Sequence, residues 1–340
     1  MRDHRSRRRS LHPTLLTAVL SITLACQHRY PCADGGLGTS RTSAALAGDD
    51  RPFELRVAQV AGLRGRPFGV AVSPSGIVYV TQQDANSVAC LSLATRVVKS
   101  AIPVAQDPGD VIFNRAGTVA YASTFYGNIV HFIDVSSGKQ TAAIPFGQNA
   151  YRLALSADES RLFVTSVAGT LWSVSTTKPS APMMSVQLGG SLQGIALSKS
   201  GTSLYVTSSD GRIVRLDPTT LDVLATASLG GSLQDVAVSN DGSELYVADE
   251  RGAVVIADAA TLAKKTAVVV PRGAFGLELT PDGRRIYVAS TEGELVVLDR
   301  ASRNVVAQQT LGGTPRRIAF DATGTTAVIA NESNWVNIVH

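Results

Sequence analysis

An all-β fold is predicted, a seven-bladed β-propeller built of four-stranded antiparallel blades. Two observations predict it. An eight-residue motif recurs seven times, and its starts fall 41 or 42 residues apart. Each interval then holds four short strand-like runs separated by turn residues. A period this regular marks one supersecondary unit copied along the chain. Shorter repeats with fewer turns would mark a β-helix, and helical repeats would show a 3.6-residue period.

The motif reads GVAVSPSG from Gly69, DVIFNRAG from Asp110, RLALSADE from Arg152 and GIALSKSG from Gly194. It continues as DVAVSNDG from Asp235, GLELTPDG from Gly276 and RIAFDATG from Arg317. In the fourth copy, Ile195-Ala196-Leu197-Ser198 forms a first strand and Lys199-Ser200-Gly201 a turn. Ser203–Thr207 is rich in β-branched and aromatic residues and forms the second strand. Asp210-Gly211 turns into Arg212–Asp217, and Pro218-Thr219-Thr220 turns into Val223–Leu229. Gly, Asp, Asn and Pro at these turns supply positive or pre-set φ angles.

The seventh copy has only three strands before the chain stops at His340. Residues Glu54–Gly62 precede the first copy and resemble the fourth strand of the sixth, Val305–Gly312. The N-terminal strand is therefore expected to complete the seventh blade, which removes two exposed sheet edges.

The second strands carry a common signature: VYVTQQ from Val78, LFVTS from Leu162, LYVTS from Leu204, LYVAD from Leu245 and IYVAS from Ile286. With SPSG and TPDG, they resemble the YVTN-type β-propeller repeat family over residues 54–340. That resemblance implies an extracytoplasmic seven-bladed binding scaffold.

The first 25 residues read as a secretory signal peptide. A basic stretch, Arg5–Ser10, precedes the uncharged apolar run Leu15–Ala25, which is too short for a comfortable membrane span. Residues 26–52 read as a linker, and residues 53–340 as the propeller. Cys26 follows Thr23-Leu24-Ala25 and is the lipidation candidate, although a lipobox wants an aliphatic residue where Thr23 stands. The expected location is secreted or periplasmic, with membrane contact only through such a lipid.

The net charge of +4 belongs mostly to the leader: residues 1–50 carry +3 and the rest +1. A nearly neutral propeller argues against strong nucleic-acid binding, which needs a basic surface. Three cysteines make no disulfide scaffold and no zinc cluster. A Cys26–Cys32 bridge is open if Cys26 carries no lipid, and Cys90 reads as a small packed hydrophobe.

Loops on a rigid scaffold carry contacts, so the loops leading into the first strands are the expected binding face. Candidate residues there are Arg66, Phe68, Tyr151, Gln193, Gln234, Phe275 and Arg316. Asp110, Arg152, Asp235 and Arg317 hold one equivalent motif position in four blades, and Gly69, Gly194 and Gly276 hold it in the other three. This ring fits a polar-ligand mouth, and it equally fits a channel whose charges pair with one another. Tyr126 and Trp335, on the second-to-third-strand turns of the same face, are aromatic contact candidates or inter-blade packing.

No catalytic residues are assigned. A lactonase-type propeller would hold a divalent cation on converging oxygens; Asp110 and Asp235, with Asn149 and Glu278, are the candidates. Lyase-type and haem-type propellers need histidines on the binding face. The five histidines, His4, His12, His28, His131 and His340, lie elsewhere. No G-x-S-x-G or phosphate loop is present. The expected role is a binding or interaction module for an envelope protein, peptide or glycan, with no cofactor. A metal-dependent lactone or ester hydrolase and a structural cell-surface component are the alternatives.

Overall fold

The computed structural model describes residues 54–340. The leader, the linker, Cys26 and Cys32 lie outside the described residues. Seven four-stranded antiparallel sheets follow one another, each running outward from its first strand. The innermost strands are Pro67–Val72, Pro108–Phe113, Leu153–Leu155, Leu192–Leu197, Leu233–Val238, Ala274–Leu279 and Pro315–Phe320. Blades are numbered 1 to 7 in that order.

The closing strand is Val57–Ala61, which lies antiparallel to Trp335–Val339 and forms the outer strand of blade 7. Arg56 and His340 extend the ladder by exchanging backbone hydrogen bonds. The apolar core has seven clusters, one at each blade junction, and a smaller eighth around Phe68, Tyr151 and Phe275. Val60, Val328 and Val336 of blade 7 meet Val70, Val80 and Leu91 of blade 1 in the cluster that shuts the ring. Middle strands bury both faces, as in Ile77–Gln82, where every residue is buried. Such a strand reads as an unbroken V-Y-V run because each face packs on a different blade. Outermost strands, such as Val223–Ser228, alternate between exposed and half-buried.

The threonine of the V-T signature has a structural task. In blades 1, 2 and 4 a register shift at the start of the first strand takes a backbone N–H out of the ladder. Hydroxyls of the neighbouring strand accept it: Thr81 from Gly69 at 2.7 Å, Ser123 from Asp110 at 2.9 Å and Thr207 from Gly194 at 2.8 Å. Thr165 does the same for Arg152 at 3.1 Å. In blades 5 and 6 the equivalent residue is alanine, and the motif residue pairs directly with it, Asp235 with Ala248 and Gly276 with Ala289.

Cys90 differs from its expected role. It is fully buried, but it is disulfide-bonded rather than a free packed thiol. Among the described residues no helix is long and apolar enough to cross a membrane.

Candidate functional site: the central channel

The first motif position decides what fills the channel. At three blades there is room only for glycine. A Cβ on Gly276 would lie 2.0 Å from the Arg316 carbonyl oxygen, and one on Gly69 would lie 2.5 Å from the Gly109 oxygen. On Gly194 it would meet the Asp235 Cα at 2.8 Å. Backbone cannot yield as a flexible side chain can. Gly276→Ala is therefore expected to cost at least about 1–3 kcal/mol, read as a lowered urea midpoint at unchanged m-value.

The other four blades send charged side chains inward, and these meet. Asp110 accepts from Arg152 Nη1 at 2.8 Å and from the Leu153 N–H of the next blade at 3.0 Å. Asp235 accepts from the Leu277 N–H of its own next blade at 3.2 Å. Arg152 reaches across the channel with Nη2 to Asp235 at 3.2 Å, and Arg317 Nη1 approaches the other Asp235 oxygen at 2.8 Å. Blades 2, 3, 5 and 7 are thus tied through one hub. Arg317 is only 2% exposed. Burial disfavours the Arg152 cation, yet Asp110 and Asp235 more than offset it and hold its pKa above the ordinary arginine value. Burial raises the Asp110 pKa, against the pull of Arg152 and Arg317.

On the side of the loops leading into the first strands, aromatic rings close the channel. Phe68 packs edge-on against Phe275 at 5.7 Å and tilted against Tyr151 at 6.2 Å. Phe125 adds an edge contact to Tyr151 at 6.0 Å. The guanidinium groups of Arg316 and Arg317 lie 4.4 and 4.5 Å from the Phe275 ring centre, at cation–π distance. Arg316 Nε pairs with Glu332 at 2.9 Å, and Glu332 also holds Arg66 at 3.2 Å. The expected mouth is therefore a lid.

The open space lies on the other side of the charge network. Two adjoining lobes of about 400 and 450 Å³ share Arg152, Ile195, Glu278 and Phe320. Their outer walls are the turns after the first strands, at Pro74, Asn114, Asn240 and Pro281. Glu278 lies in this cavity and makes no ion pair among the described residues. Burial, reinforced by Asp235 and opposed by Arg152, pushes its pKa up to about 8 from 4.5. A carboxyl raised in the fold stays protonated while the unfolded chain ionises. Stability is therefore expected to fall as pH rises from about 4.5 to about 8 and then level off. Glu278→Gln should flatten that stretch of a pH series of urea midpoints.

The remaining candidates have local partners. Gln234 donates to Glu250 at 2.9 Å and Gln193 to Ser191 at 2.8 Å. Trp335 donates its indole N–H to Asn337 at 3.1 Å and is half-buried. Tyr126 is 62% exposed and rests edge-on against Phe125. Asn149 donates to the Phe125 carbonyl oxygen, away from the aspartates. His131 is buried; the Ala105 N–H donates to its Nε2, so Nδ1 carries the proton toward Gln140.

Asp110 and Asp235 do not suit a shared divalent cation. Both oxygens of each already accept hydrogen bonds, and Asp235 lies between two guanidinium groups. Among the described residues no group of three or more His, Cys, Asp or Glu side chains could hold a metal ion.

Both the lid and the cavity leave a trace in the repeat. The residue before each motif is Phe68, Gly109, Tyr151, Gln193, Gln234, Phe275 or Arg316, and four of this column, Phe68, Tyr151, Phe275 and Arg316, contribute to the lid. At the third motif position, Glu278 is the one charged residue in a column of five alanines and Ile112. Only reading the copies in register, column by column, brings these out.

No protein-family model and no curated protein sequence matches the chain. Solved structures do match it. A chain of Kuenenia stuttgartiensis hydrazine synthase superposes with a TM-score of 0.72 at 16% identity, covering 87% of this chain and 98% of that one. The β-propeller domain of Myceliophteria thermophila Cps50 (Swd1) gives 0.73 at 14% identity, covering 83% and 99%. At these identities the likeness concerns architecture alone, and by architecture this chain is a seven-bladed β-propeller.

Proposed function

We propose that the chain is an exported propeller of the YVTN type that works as a binding module, taking part of an envelope protein, peptide or glycan into its channel. The observation that carries this reading is the one-ended cavity: a lid closes one side, and a space of about 400 Å³ opens on the other. A preformed concave site with a few convergent polar groups is the usual form of a binding pocket. Export is supported by the leader and by the Cys90 disulfide, since such bonds persist in oxidising compartments.

Native mass spectrometry of protein released from its own envelope fraction tests the reading. The wild type is expected to carry a non-covalent adduct. Ala319→Phe, which adds a ring at the cavity wall, is expected to lose it while remaining folded, as a cooperative melting transition shows. Bare wild-type protein, or an adduct retained by the filled variant, contradicts the channel as the site. Fully reduced Cys90 in that material would contradict export.

A further inference from the structure

At the inner end of the cavity stand three carboxyl groups, Asp110, Asp235 and Glu278, and two guanidinium groups, Arg152 and Arg317; Arg115 lines the outer wall, where it donates to the Ala157 carbonyl oxygen at 2.8 Å. Four of these neutralise one another through contacts of 2.8–3.2 Å. Glu278 is the remainder. It stands where five other blades have alanine, in the part of the channel that is open. Resting on the reading of the channel as a binding site, we propose that the cavity takes a small aliphatic primary ammonium group, paired with the Glu278 carboxylate.

Three features select this chemistry. First, a monocation balances the one carboxylate without an ion-pair partner, whereas an anion would face three carboxyl groups and arginines already engaged, Arg115 with the Ala157 carbonyl oxygen. Second, an ammonium is compact and presents three donors. The innermost strands are sheet edges turned to the channel, which places backbone carbonyls around the same space. Third, part of the wall is apolar, between polar groups such as Asn114, Asn240 and Thr280. Phe113, Phe320, Val72 and Leu279 line the two lobes and would pack a hydrocarbon body. A metal ion is disfavoured for want of converging donors among the described residues.

Binding must then be linked to proton release. Alone, Glu278 is held neutral by burial and by Asp235, with Arg152 opposing; Asp110, Arg317 and, at the outer wall, Arg115 complete the charges around the cavity. An ammonium stabilises the ionised form, so the carboxyl gives up its proton to solvent as the cation arrives. Affinity should rise about tenfold per pH unit below the carboxyl pKa and level off above it.

The test is calorimetric titration of the full chain with n-butylamine, n-butanol and butyrate at several pH values and in two buffers. Butylamine is expected to bind with the described pH slope and to release close to one proton below the plateau. Butanol and butyrate should not bind. Glu278→Gln, which keeps the shape, should weaken butylamine by at least about tenfold while melting no lower than the wild type. No butylamine binding on the plateau, equal binding of butanol or butyrate, or a variant as good as the wild type each overturns the proposal. If butylamine fails while the native adduct persists and disappears in Ala319→Phe, the channel reading stands and only the ammonium class falls.

Discussion

Asp235→Asn is expected to destabilise the fold by about 3–5 kcal/mol, the cost of removing one partner from a buried ion pair. Asp235 is the hub of the network, accepting from two arginines and from the Leu277 N–H. Without its charge, Arg317 keeps only long contacts, to the Gln234 carbonyl at 3.5 Å and the Tyr151 hydroxyl at 3.4 Å, besides the ring faces. Asp110→Asn should cost less, because Arg152 retains Asp235. Removing both members, Asp235→Leu with Arg317→Leu, should recover much of the loss, since the Asp110–Arg152 pair remains balanced. A urea-denaturation double-mutant cycle reads all of this. A single-variant cost under about 1 kcal/mol would mean that the pair contributes as little as an exposed one.

Removing residues 51–62 is expected to lower the melting temperature by more than ~10 °C. Five backbone pairings disappear, and Trp335–Val339 becomes an exposed strand edge. Val60 leaves the junction of blades 7 and 1, while Leu55 and Val57 leave that of blades 6 and 7. The truncated chain should also associate as its concentration rises, which light scattering detects. An unchanged melting curve would show that the ring closes without this strand.

These two expectations differ in how far the sequence announces them. The closing strand is legible because Glu54–Gly62 resembles a strand of another blade and the seventh copy lacks one. The ring of Asp110, Arg152, Asp235 and Arg317 is legible as a column, since equivalent positions in a repeat share a place in space. What the column does not contain is distance. That Arg152 spans from blade 3 to Asp235 in blade 5 depends on channel width, and on glycine at the other three positions leaving room for it. The lid was hidden because Phe68, Tyr151 and Phe275 look like ordinary apolar residues in separate blades. Only ring closure brings them together, and their meeting moves the open site to the opposite side of the molecule. Cys90 misleads for a related reason: its sequence surroundings are those of a packed strand residue, and nothing local signals a bond.

The most direct measurement is a crystal structure of the purified protein grown with calcium and manganese present. Asp235 is expected between the Arg152 and Arg317 guanidinium groups, with Phe68 against Phe275 closing one end and the cavity around Glu278 open at the other. A metal ion held by Asp110 and Asp235, with the arginines turned away, would contradict this arrangement and favour a hydrolase.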